Sequence, residues 1–516
     1  MLRRAAGDRA MLPAAPNGCT DAYYAGAAEV AQKACTSQRQ ALRERLTPDA
    51  TGIVLVMVGL PARGKSFISR KLERFLQWKG LRTQMFNVGK YRRDGTAPEQ
   101  SGRSEFFDAS NCSAHAAREA AAATALTDVL AFLDDGGQIA IFDATNSVSS
   151  RRRYICERFS RHQRQYSILF VEVICDDSDV VEANMLNKVQ NSPDFKHREY
   201  QEALVDLKAR IAKYEEVYET VRDDEGPYIK LYNLSTKVLV NHCYGRIARS
   251  VLPYLMGVHI GTRPIWLVRA GAGEANPQTP PDARGRLLGL SGAGRGFSMA
   301  LAGFVGDRAA DFWQAMGKEQ EPTRVISSTM PRAVASARYA SPHQEQTSAL
   351  NALDKGAIGE GWWDVECGSD VPPWKEVERR HPEFWDRFQQ APLRCRFPGG
   401  ESYMDVVQRL EGLLTEVEMC TRPVLIVSHI TVLQLLLAYF RGIPVEEAWH
   451  LPVPKNTVFE AVPSLGGGFV CSEHALSTAA TSGGGGGARA VDVCSEAPAE
   501  ANETLQGGAC KRPRTK

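Results

Sequence analysis

The feature that most constrains the fold is residues 52–66, where an apolar run leads into a glycine-rich turn and a lysine. The run GIVLVMVGL shows no polar alternation, which is typical of a strand buried on both faces. The following GLPARGKS, residues 59–66, matches the full GxxxxGK[ST] pattern. SFISRKLERFLQWKG then predicts an amphipathic helix that ends at Gly80. A strand, a glycine-rich loop and a helix in this order predict a phosphate-binding loop.

The chemistry of this loop predicts ATP binding. Its glycines let successive backbone N–H groups turn toward phosphates, and the helix N-terminus adds its dipole. Lys65 is expected to reach the β- and γ-phosphates, and Ser66 is expected to bind Mg²⁺. The residues predicted to contact ATP here are Gly59, Leu60, Pro61, Ala62, Arg63, Gly64, Lys65 and Ser66. An ordinary glycine-rich turn is the alternative, and the strand and helix flanks disfavour it.

A second polar position follows another buried strand. In QIAIFDATN, Asp143 ends an apolar run, where it could hold Mg²⁺ or orient an attacking hydroxyl. A lone Asp after a strand is more often a helix cap. Together with the phosphate-binding loop, the sequence favours the catalytic role and a metal role for Asp143.

Strands and helices alternate along most of the chain, which predicts two α/β domains with parallel sheets. The first domain is assigned to residues 51–258 and the second to residues 259–463. Residues 1–50 are expected to form an N-terminal extension. Residues 464–516, which contain SGGGGGARA, are expected to be a disordered low-complexity tail.

Composition excludes several classes of function. The formal net charge is +2, so no global field marks a nucleic-acid binder. Apolar runs such as VLQLLLAYF are too short to span a bilayer, and the N-terminus lacks a secretory signal. The 12 cysteines are scattered without metal-ligand spacing, which favours reduced thiols and a cytoplasmic protein. The terminal KRPRTK could instead be a nuclear-localisation patch.

Clustered arginines point to a phosphorylated acceptor. Arg92 and Arg93 follow a short predicted strand, Arg118 lies on an alanine-rich predicted helix, and residues 151–153 are all arginine. Guanidinium groups suit a phosphate already carried by a substrate. For any single arginine, a solvated surface position is the competing interpretation.

The motifs GLPARGKS, FNVGKYRRD, EFFD, IFDATN, VICDD, NSPDF and RPIWLVRAG occur in this order. Over roughly residues 52–462 the chain thereby resembles the 6-phosphofructo-2-kinase/fructose-2,6-bisphosphatase family. The resemblance implies a P-loop kinase domain followed by a phosphoglycerate-mutase-like histidine phosphatase domain. The first would phosphorylate fructose 6-phosphate at its 2-hydroxyl, and the second would remove that phosphate. It also implies a homodimer formed through the kinase domains.

The resemblance assigns roles to individual kinase residues. Asp143, Lys65 and Cys175 match the catalytic set, although a buried structural thiol explains Cys175 about as well. Asn184 and Lys188 match the segment that lines the nucleotide, with the lysine displaced by one position. The family's fructose 6-phosphate contacts match Arg92, Arg118, Thr145, Arg151, Arg210 and Tyr214.

The phosphatase-like domain lacks two reagents. Histidine phosphatases carry Arg-His-Gly at a strand end, whereas this chain has Ala270 between Arg269 and Gly271. Ala352 stands where the family has a glutamate that donates a proton to the leaving oxygen. Alanine can form no phosphoenzyme, so the bisphosphatase activity is expected to be lost.

Part of the phosphatase pocket remains. Arg269, Asn276 and Arg332 match phosphate-binding positions, and Tyr403 matches a sugar-phosphate contact. His429 matches the family's second histidine and is expected to persist as a packed, hydrogen-bonded residue. Ile430 and Gln434 replace polar and basic substrate ligands.

Several functions remain open from the sequence. A kinase without phosphatase activity fits the motifs best. The alternatives are a sensor that binds ATP or a sugar phosphate without turnover, a bifunctional enzyme with a substitute nucleophile, and another P-loop small-molecule kinase.

Overall fold

The structure is a computed structural model that describes residues 52–95, 103–108, 110–196, 198–234, 236–243, 245–274, 289–358 and 373–477. The predicted N-terminal extension, Asn276 and the terminal KRPRTK lie outside the described residues. Within the described ranges the chain forms two α/β domains, each built on a six-stranded sheet.

The first sheet confirms the predicted alternation of strands and helices. Its strand order is β2-β3-β1-β4-β5-β6, and every neighbouring pair is parallel except β5 with β6. The strands are β1 (Ile53–Val58), β2 (Thr83–Asn87), β3 (Ile139–Asp143), β4 (Ser167–Ile174), β5 (Tyr228–Tyr232) and β6 (Lys237–Asn241). Because β1 lies centrally, the loop that follows it opens at the carboxyl edge of the sheet, where α/β proteins bind ligands.

Where the structure describes the first domain, seven helices accompany this sheet: α1 (Lys65–Trp78), α2 (Val88–Gly95), α3 (Cys112–Asp134), α4 (Ser149–Ser160), α5 (Ser178–Asn191), α6 (Tyr200–Glu215) and α7 (Arg246–Gly257). Short 3-10 turns lie at Ser104–Phe107, Pro193–Phe195 and Asp223–Glu225. Helix α1 has the predicted amphipathic form, with Ile68, Leu72 and Phe75 all buried.

The second sheet has the order β11-β10-β12-β7-β13-β14, and β8 pairs with β9 in a separate small ribbon. The strands are β7 (Ile265–Arg269), β8 (Gly273–Glu274), β9 (Gly289–Leu290), β10 (Arg324–Ser328), β11 (Glu345–Thr347), β12 (Val424–Ser428), β13 (Thr457–Pro463) and β14 (Phe469–Ala475). Strands β7 and β12 pair in parallel, so Arg269 and Ser428 end side by side.

The helices of the second domain are α8 (Gly292–Met316), α9 (Pro331–Arg338), α10 (Pro373–Arg380), α11 (Pro382–Gln390), α12 (Tyr403–Met419) and α13 (Ile430–Arg441). Its 3-10 turns are Ser348–Leu350, Gly356–Ile358 and Val445–His450. Across the described ranges, no helix combines the length and the apolar character needed to cross a bilayer.

The predicted start of a disordered tail at residue 464 is wrong. Strand β14 lies beyond that point and pairs antiparallel with β13 along its whole length, from Pro463 opposite Phe469 to Thr457 opposite Ala475. Gly467, at φ 84°, lies in the turn that reverses the chain. The glycines at 466–468 therefore belong to a hairpin turn, because glycine takes a positive φ without strain. Residues 478–516 lie outside the described part.

One apolar core includes residues from both domains. Phe75 of α1 stacks on Tyr254 of α7 with ring centroids 4.0 Å apart. The Trp78 indole N–H donates to the Leu435 carbonyl of α13 over 2.8 Å. The helix that begins at the phosphate-binding loop is therefore packed directly on the phosphatase-like domain.

A buried ion pair crosses this contact. The Lys71 ammonium of α1 lies 2.7 Å from the Glu418 carboxylate of α12, with side chains only 2% and 1% exposed. The hydroxyl of Tyr439 donates to Glu418 and lies 2.9 Å from that of Tyr254. Burial acts to raise the pKa of Glu418, but Lys71 and Tyr439 lower it below its usual value. Because such a pair is costly to break, it fixes how α1 meets α12.

Candidate active site

The loop between β1 and α1 has the geometry of a phosphate cradle. Gly59 has φ 135°, and a Cβ there would lie 2.4 Å from the carbonyl oxygen of Val173. Only glycine fits so close to β4. The Gly59 N–H donates to the Thr145 carbonyl over 2.9 Å, which ties the loop to the end of β3. Ala62 and Gly64 also have positive φ, at 60° and 90°, so the chain turns tightly before α1.

The Lys65 side chain turns back toward the backbone of the phosphate-binding loop. Lys65 is the first residue of α1, and its ammonium donates to the Leu60 carbonyl over 2.6 Å. Gly64 caps this helix and has no side chain to accept hydrogen bonds from the first turn. The backbone N–H groups at the helix N-terminus are therefore suited to binding an anion. Burial, and then the charge of Lys188, lower the pKa of Lys65 to about 7. An anionic phosphate would restore its charge.

Asp143 gathers the polar groups at the carboxyl edge of the sheet. Its Oδ2 accepts from the Ser66 hydroxyl over 2.7 Å and from the Asn87 amide over 2.6 Å. The carboxylate is 3% exposed and ends β3, beside the end of β2. The structure therefore brings Ser66 and Asp143 together as the sequence predicts. Asn87 is a third member that sequence analysis missed.

The oxygens of Ser66 and Asp143 fit Mg²⁺ only as a partial ligand set. In the described ranges, no group of three or more His, Cys, Asp or Glu side chains could hold a metal ion. Mg²⁺ is commonly bound by one or two protein oxygens together with substrate phosphates and water. The donor set thus fits a metal that arrives with a nucleotide.

Cys175 follows β4 and is buried, at 3% exposure. Its sulfur lies 4.0 Å from the Asp177 carbonyl. Burial raises the pKa of the thiol, which keeps it protonated and a poor nucleophile. These surroundings favour the packing role over the catalytic one.

The two residues predicted on α5 both lie in this region. The Asn184 amide nitrogen is buried and has no hydrogen-bond partner within the described ranges. Burial and then Arg210 lower the pKa of Lys188 to about 8, with Asp194 and Asp143 acting in the opposite direction. Lys188 therefore reaches the same site despite its displacement by one position, while its neighbour Val189 packs in the core.

A cluster of arginines surrounds Asp194, whose charge also acts on Lys188. Arg92 reaches both carboxylate oxygens at 2.7 Å, and Arg210 reaches Oδ2 at 3.0 Å. Arg93 lies 3.3 Å from Oδ1. The guanidinium carbon of Arg210 lies 3.5 Å from the centre of the Phe107 ring. Two of the predicted sugar-phosphate ligands, Arg92 and Arg210, are thus brought together.

Of the remaining predicted sugar-phosphate ligands, Arg118 and Tyr214 adjoin this cluster through Phe107, and Arg151 and Thr145 are placed by other contacts. Arg118 donates to the Phe106 carbonyl, and its guanidinium carbon lies 6.0 Å from the Phe107 ring. The Tyr214 ring lies 5.8 Å from Phe107. Arg151 pairs with Glu119 on α3. Thr145 is placed by its carbonyl, which accepts the hydrogen bond from the Gly59 N–H.

The second domain has its candidate pocket at the ends of β7 and β12. Ala270 is 5% exposed and belongs to the apolar cluster that includes Trp266 and Phe297. Its N–H donates to the Ser428 carbonyl over 2.9 Å, and the Gly271 N–H donates to the Ser336 hydroxyl over 2.9 Å. The strand end is therefore well ordered around a methyl group that can neither attack nor accept.

His429 is engaged in a local hydrogen-bond network. Its Nε2 lies 3.0 Å from the Ser328 hydroxyl, which donates to the Asn351 side chain over 2.8 Å. The same Asn351 oxygen accepts from the Thr329 N–H over 3.0 Å. Ala352 follows Asn351, and its carbonyl lies 3.5 Å from Arg409. His429 is held in place as predicted, beside a segment that carries no acid at residue 352.

At other pocket positions, the side chains of Arg269 and Gln434 contact backbone carbonyls. Arg269 contacts the Val453 carbonyl at 3.4 Å, and the Arg332 carbonyl accepts from Ser336 over 2.9 Å. Gln434 donates to the carbonyls of Trp449 and Leu451, each over 3.0 Å. Burial raises the pKa of Tyr403 to about 12, so its hydroxyl stays protonated.

Models of two protein families match the chain in succession. The model described as 6-phosphofructo-2-kinase matches residues 43–262, and that of the histidine phosphatase superfamily (branch 1) matches residues 305–476. The first match contains all six strands of the first sheet, and the second contains every strand of the second sheet except β7.

Full-length relatives match across both domains. The 6-phosphofructo-2-kinase/fructose-2,6-bisphosphatase 4 of Rattus norvegicus is 36% identical over 417 residues, covering 80% of this chain and 82% of that protein. The 6-phosphofructo-2-kinase/fructose-2,6-bisphosphatase of Arabidopsis thaliana is 34% identical over 425 residues, covering 80% of this chain and 53% of that protein. The chain thus spans about half the length of the Arabidopsis relative. Among solved structures, the alpha-ribazole phosphatase from Shigella flexneri is 21% identical and covers 39% of this chain and 92% of its own, with a TM-score of 0.29.

Proposed function

Because the chain belongs to the 6-phosphofructo-2-kinase/fructose-2,6-bisphosphatase family, we propose that its first domain is an ATP-dependent 6-phosphofructo-2-kinase. It transfers the γ-phosphoryl group of ATP to the 2-hydroxyl of fructose 6-phosphate and yields fructose 2,6-bisphosphate. Such an enzyme would control the flux between glycolysis and gluconeogenesis. We also propose that the second domain has little or no bisphosphatase activity.

One observation carries the kinase proposal: the phosphate-binding loop, Asp143 and the arginine cluster share one edge of one sheet. Lys65 lies on the nucleotide side, and the pKa of Lys188 responds to both Asp143 and Asp194. ATP on the loop and the 6-phosphate on Arg92 and Arg210 would therefore place Asp143 between donor and acceptor. Phosphoryl transfer needs little more from a protein than such positioning and charge neutralisation.

Each side chain has a defined part in this proposal. The Asp143 carboxylate orients the 2-hydroxyl and can take its proton, because it is 3% exposed and fixed by Ser66 and Asn87. Lys65 and Lys188 neutralise the charge on the phosphates. Arg118, Arg151, Thr145 and Tyr214 complete the sugar-phosphate side. A Mg²⁺ ion bound with ATP through Ser66 and Asp143 would supply further neutralisation of the phosphate charge.

The proposed loss of hydrolysis rests on Ala270 and Ala352. A histidine phosphatase needs a nucleophile at the first position and an acid at the second. Neither methyl group can form a phosphoenzyme or donate a proton. Among the described residues, the two serines nearest Ala270 are engaged elsewhere, since the Ser336 hydroxyl accepts from the Gly271 N–H and the Ser428 hydroxyl donates to the Leu350 carbonyl.

A paired assay on one preparation tests both proposals. Purified protein with Mg·ATP and fructose 6-phosphate should form an acid-labile bisphosphate, whereas fructose 2,6-bisphosphate should release no phosphate. Ligand binding without product would favour a non-catalytic sensor. Phosphate release by the Lys65→Ala variant would instead reveal a bifunctional enzyme with a substitute nucleophile.

We propose that the enzyme works in the cytoplasm as a homodimer joined through its kinase domains. Strand β6 ends the first sheet, and its Leu239 and Val240 side chains are 37% and 41% exposed. A sheet edge with exposed apolar residues suits pairing with a second copy. Light scattering would measure the expected dimer mass.

A further inference from the structure

We propose that Asp194 is a positioning residue of the sugar-phosphate pocket. Its carboxylate holds Arg92 and Arg210 in the orientation that receives the phosphate of the acceptor. Asp194 does not itself contact the substrate in this role. The inference rests on the proposed function, since the acceptor is taken to be fructose 6-phosphate.

Both oxygens of Asp194 are used by arginines that come from different parts of the chain. Arg92 belongs to α2 and Arg210 to α6, and their nitrogens lie 2.7 and 3.0 Å from Oδ2. Arg92 also reaches Oδ1 at 2.7 Å. A carboxylate that accepts hydrogen bonds from two guanidinium groups fixes the directions of both.

Because Arg92 and Arg210 are buried close together, they need a negative charge between them. Asp194 is 4% exposed, and Arg92 and Arg210 are 5% and 10% exposed. Two guanidinium groups this close repel each other, and with little water present their repulsion is weakly screened. Although burial raises the pKa of Asp194, Arg210 and Arg92 lower it well below its usual range. The residue therefore stays ionised and keeps the two cations together.

The charge left over suits a phosphate group. Arg92, Arg93 and Arg210 carry three positive charges and Asp194 carries one negative charge, which leaves a formal surplus of two. A phosphate monoester carries about −1.5 to −2 at neutral pH. One carboxylate thus organises the cluster without cancelling its attraction for the ligand.

The turn that carries Asp194 is itself anchored. It spans Pro193–Phe195, and the Asp194 N–H donates to the Ser192 hydroxyl over 3.4 Å. Phe195 is 3% exposed and packs with Leu207 of α6 in a cluster that Ala62 of the phosphate-binding loop also joins. The carboxylate is therefore fixed relative to both the nucleotide loop and the arginine helix.

Asp194→Asn in the full-length chain tests this role, because it preserves the shape of the side chain and removes its charge. The KM for fructose 6-phosphate should rise about 10–100-fold, the range typical when a group that orients a ligand is lost. The kcat should change less than about threefold, and the KM for ATP should stay the same. Asp194→Glu restores the charge with a displaced carboxylate and should give an intermediate KM.

Glu172→Gln is the matched control, because Glu172 is a fully buried carboxylate paired with Lys230 at 3.2 Å in the same domain. It should lower the Tm without changing the KM for fructose 6-phosphate. An unchanged or lower KM in Asp194→Asn would overturn the inference, since the carboxylate would then be merely structural or competing with phosphate. If Asp194→Asn does not fold, Asp194→Glu decides by the same criterion.

The wild-type protein separates this inference from the proposed function. Absence of product from the wild type would overturn the proposed function alone. Calorimetric titration with fructose 6-phosphate would then test Asp194 without turnover. Equal affinity in wild type and Asp194→Asn would overturn the inference, and weaker binding by the variant would support it.

Discussion

The two candidate sites of this chain lie at equivalent places in similar architecture, yet differ in what they hold. In the first domain, Asp143 ends β3 and collects Ser66 and Asn87 around its carboxylate. In the second, Ala270 follows β7 and presents a methyl group to an apolar cluster. Both strand ends are tied to their neighbours by short backbone hydrogen bonds. The comparison teaches that packing can maintain the outline of a strand end whether it carries a carboxylate or a methyl group.

The two sites differ in the free energy needed to bury their functional groups. The kinase site keeps several charges at low exposure, and Lys65 loses part of its basicity there. In the phosphatase-like site, Ala270 and Ala352 present methyl groups, which need no polar partners. A methyl group at Ala270 is thus compatible with a packed and hydrogen-bonded strand end.

Among the substitutions that test this comparison, replacing Asp143 should have the largest effect, a loss of kinase activity. Asp143→Asn removes the charge that orients the acceptor hydroxyl and should lower the kinase kcat about 10³-fold. Steady-state assays would measure the fall, with His429→Asn as the control in the other site. A kinase rate in Asp143→Asn within tenfold of wild type would contradict the assignment.

The contact between the domains should give the next largest effect. Glu418→Gln leaves Lys71 buried without a charged partner and should lower the free energy of unfolding by about 3–5 kcal/mol. Glu411→Gln is the matched control on the same helix, because Glu411 is 28% exposed and pairs with Lys79. It should cost about 1 kcal/mol or less. Denaturant titration of both variants would show equal losses if the buried pair had no special role.

The nucleotide side should respond to pH. In the protein without ATP, the pKa values of Lys65 and Lys188 are lowered to about 7 and about 8. Both residues therefore lose their charge as the pH rises from 7 to 9. Phosphates bind the charged form, so ATP affinity should fall by about tenfold or more over this interval. Calorimetry in buffers of different ionisation enthalpy should detect proton uptake on binding. Affinity that is flat over this interval would contradict the lowered values.

Restoring the nucleophile should have the smallest effect. Ala270→His places an imidazole at a position that is 5% exposed and packed among apolar groups, and Ala352 still supplies no acid. Phosphate release from fructose 2,6-bisphosphate should stay below detection. The double variant Ala270→His with Ala352→Glu should recover measurable hydrolysis. Full recovery by the single change would mean that Ala352 is not limiting.

Sequence patterns predicted most of the architecture but only part of the site. The apolar run before Gly59 and the periodic positions of α1 had strong signals, and β1 and α1 form there. Asp143 was predictable because a buried strand ends at it. Asn87 and Asp194 were not predictable, because their partners come from other elements of the fold. Asn87 contacts Asp143, 56 positions away, and Asp194 contacts Arg92 of α2 and Arg210 of α6. The β13–β14 hairpin was missed because its turn glycines resemble the start of the tail.

The buried pair between Lys71 and Glu418 predicts how substitutions should be tolerated in the second half of the chain. Under the proposed loss of hydrolysis, pocket positions whose side chains make no buried hydrogen bond should tolerate substitution. Positions on α12 and α13 that face α1 are different, because a change there would disturb the contacts of Lys71 and Trp78 on the helix that begins at the nucleotide loop. A truncation after residue 258 would leave Trp78 and Lys71 facing water. We therefore expect removal of the second domain to destabilise the first, whatever reaction the second domain performs.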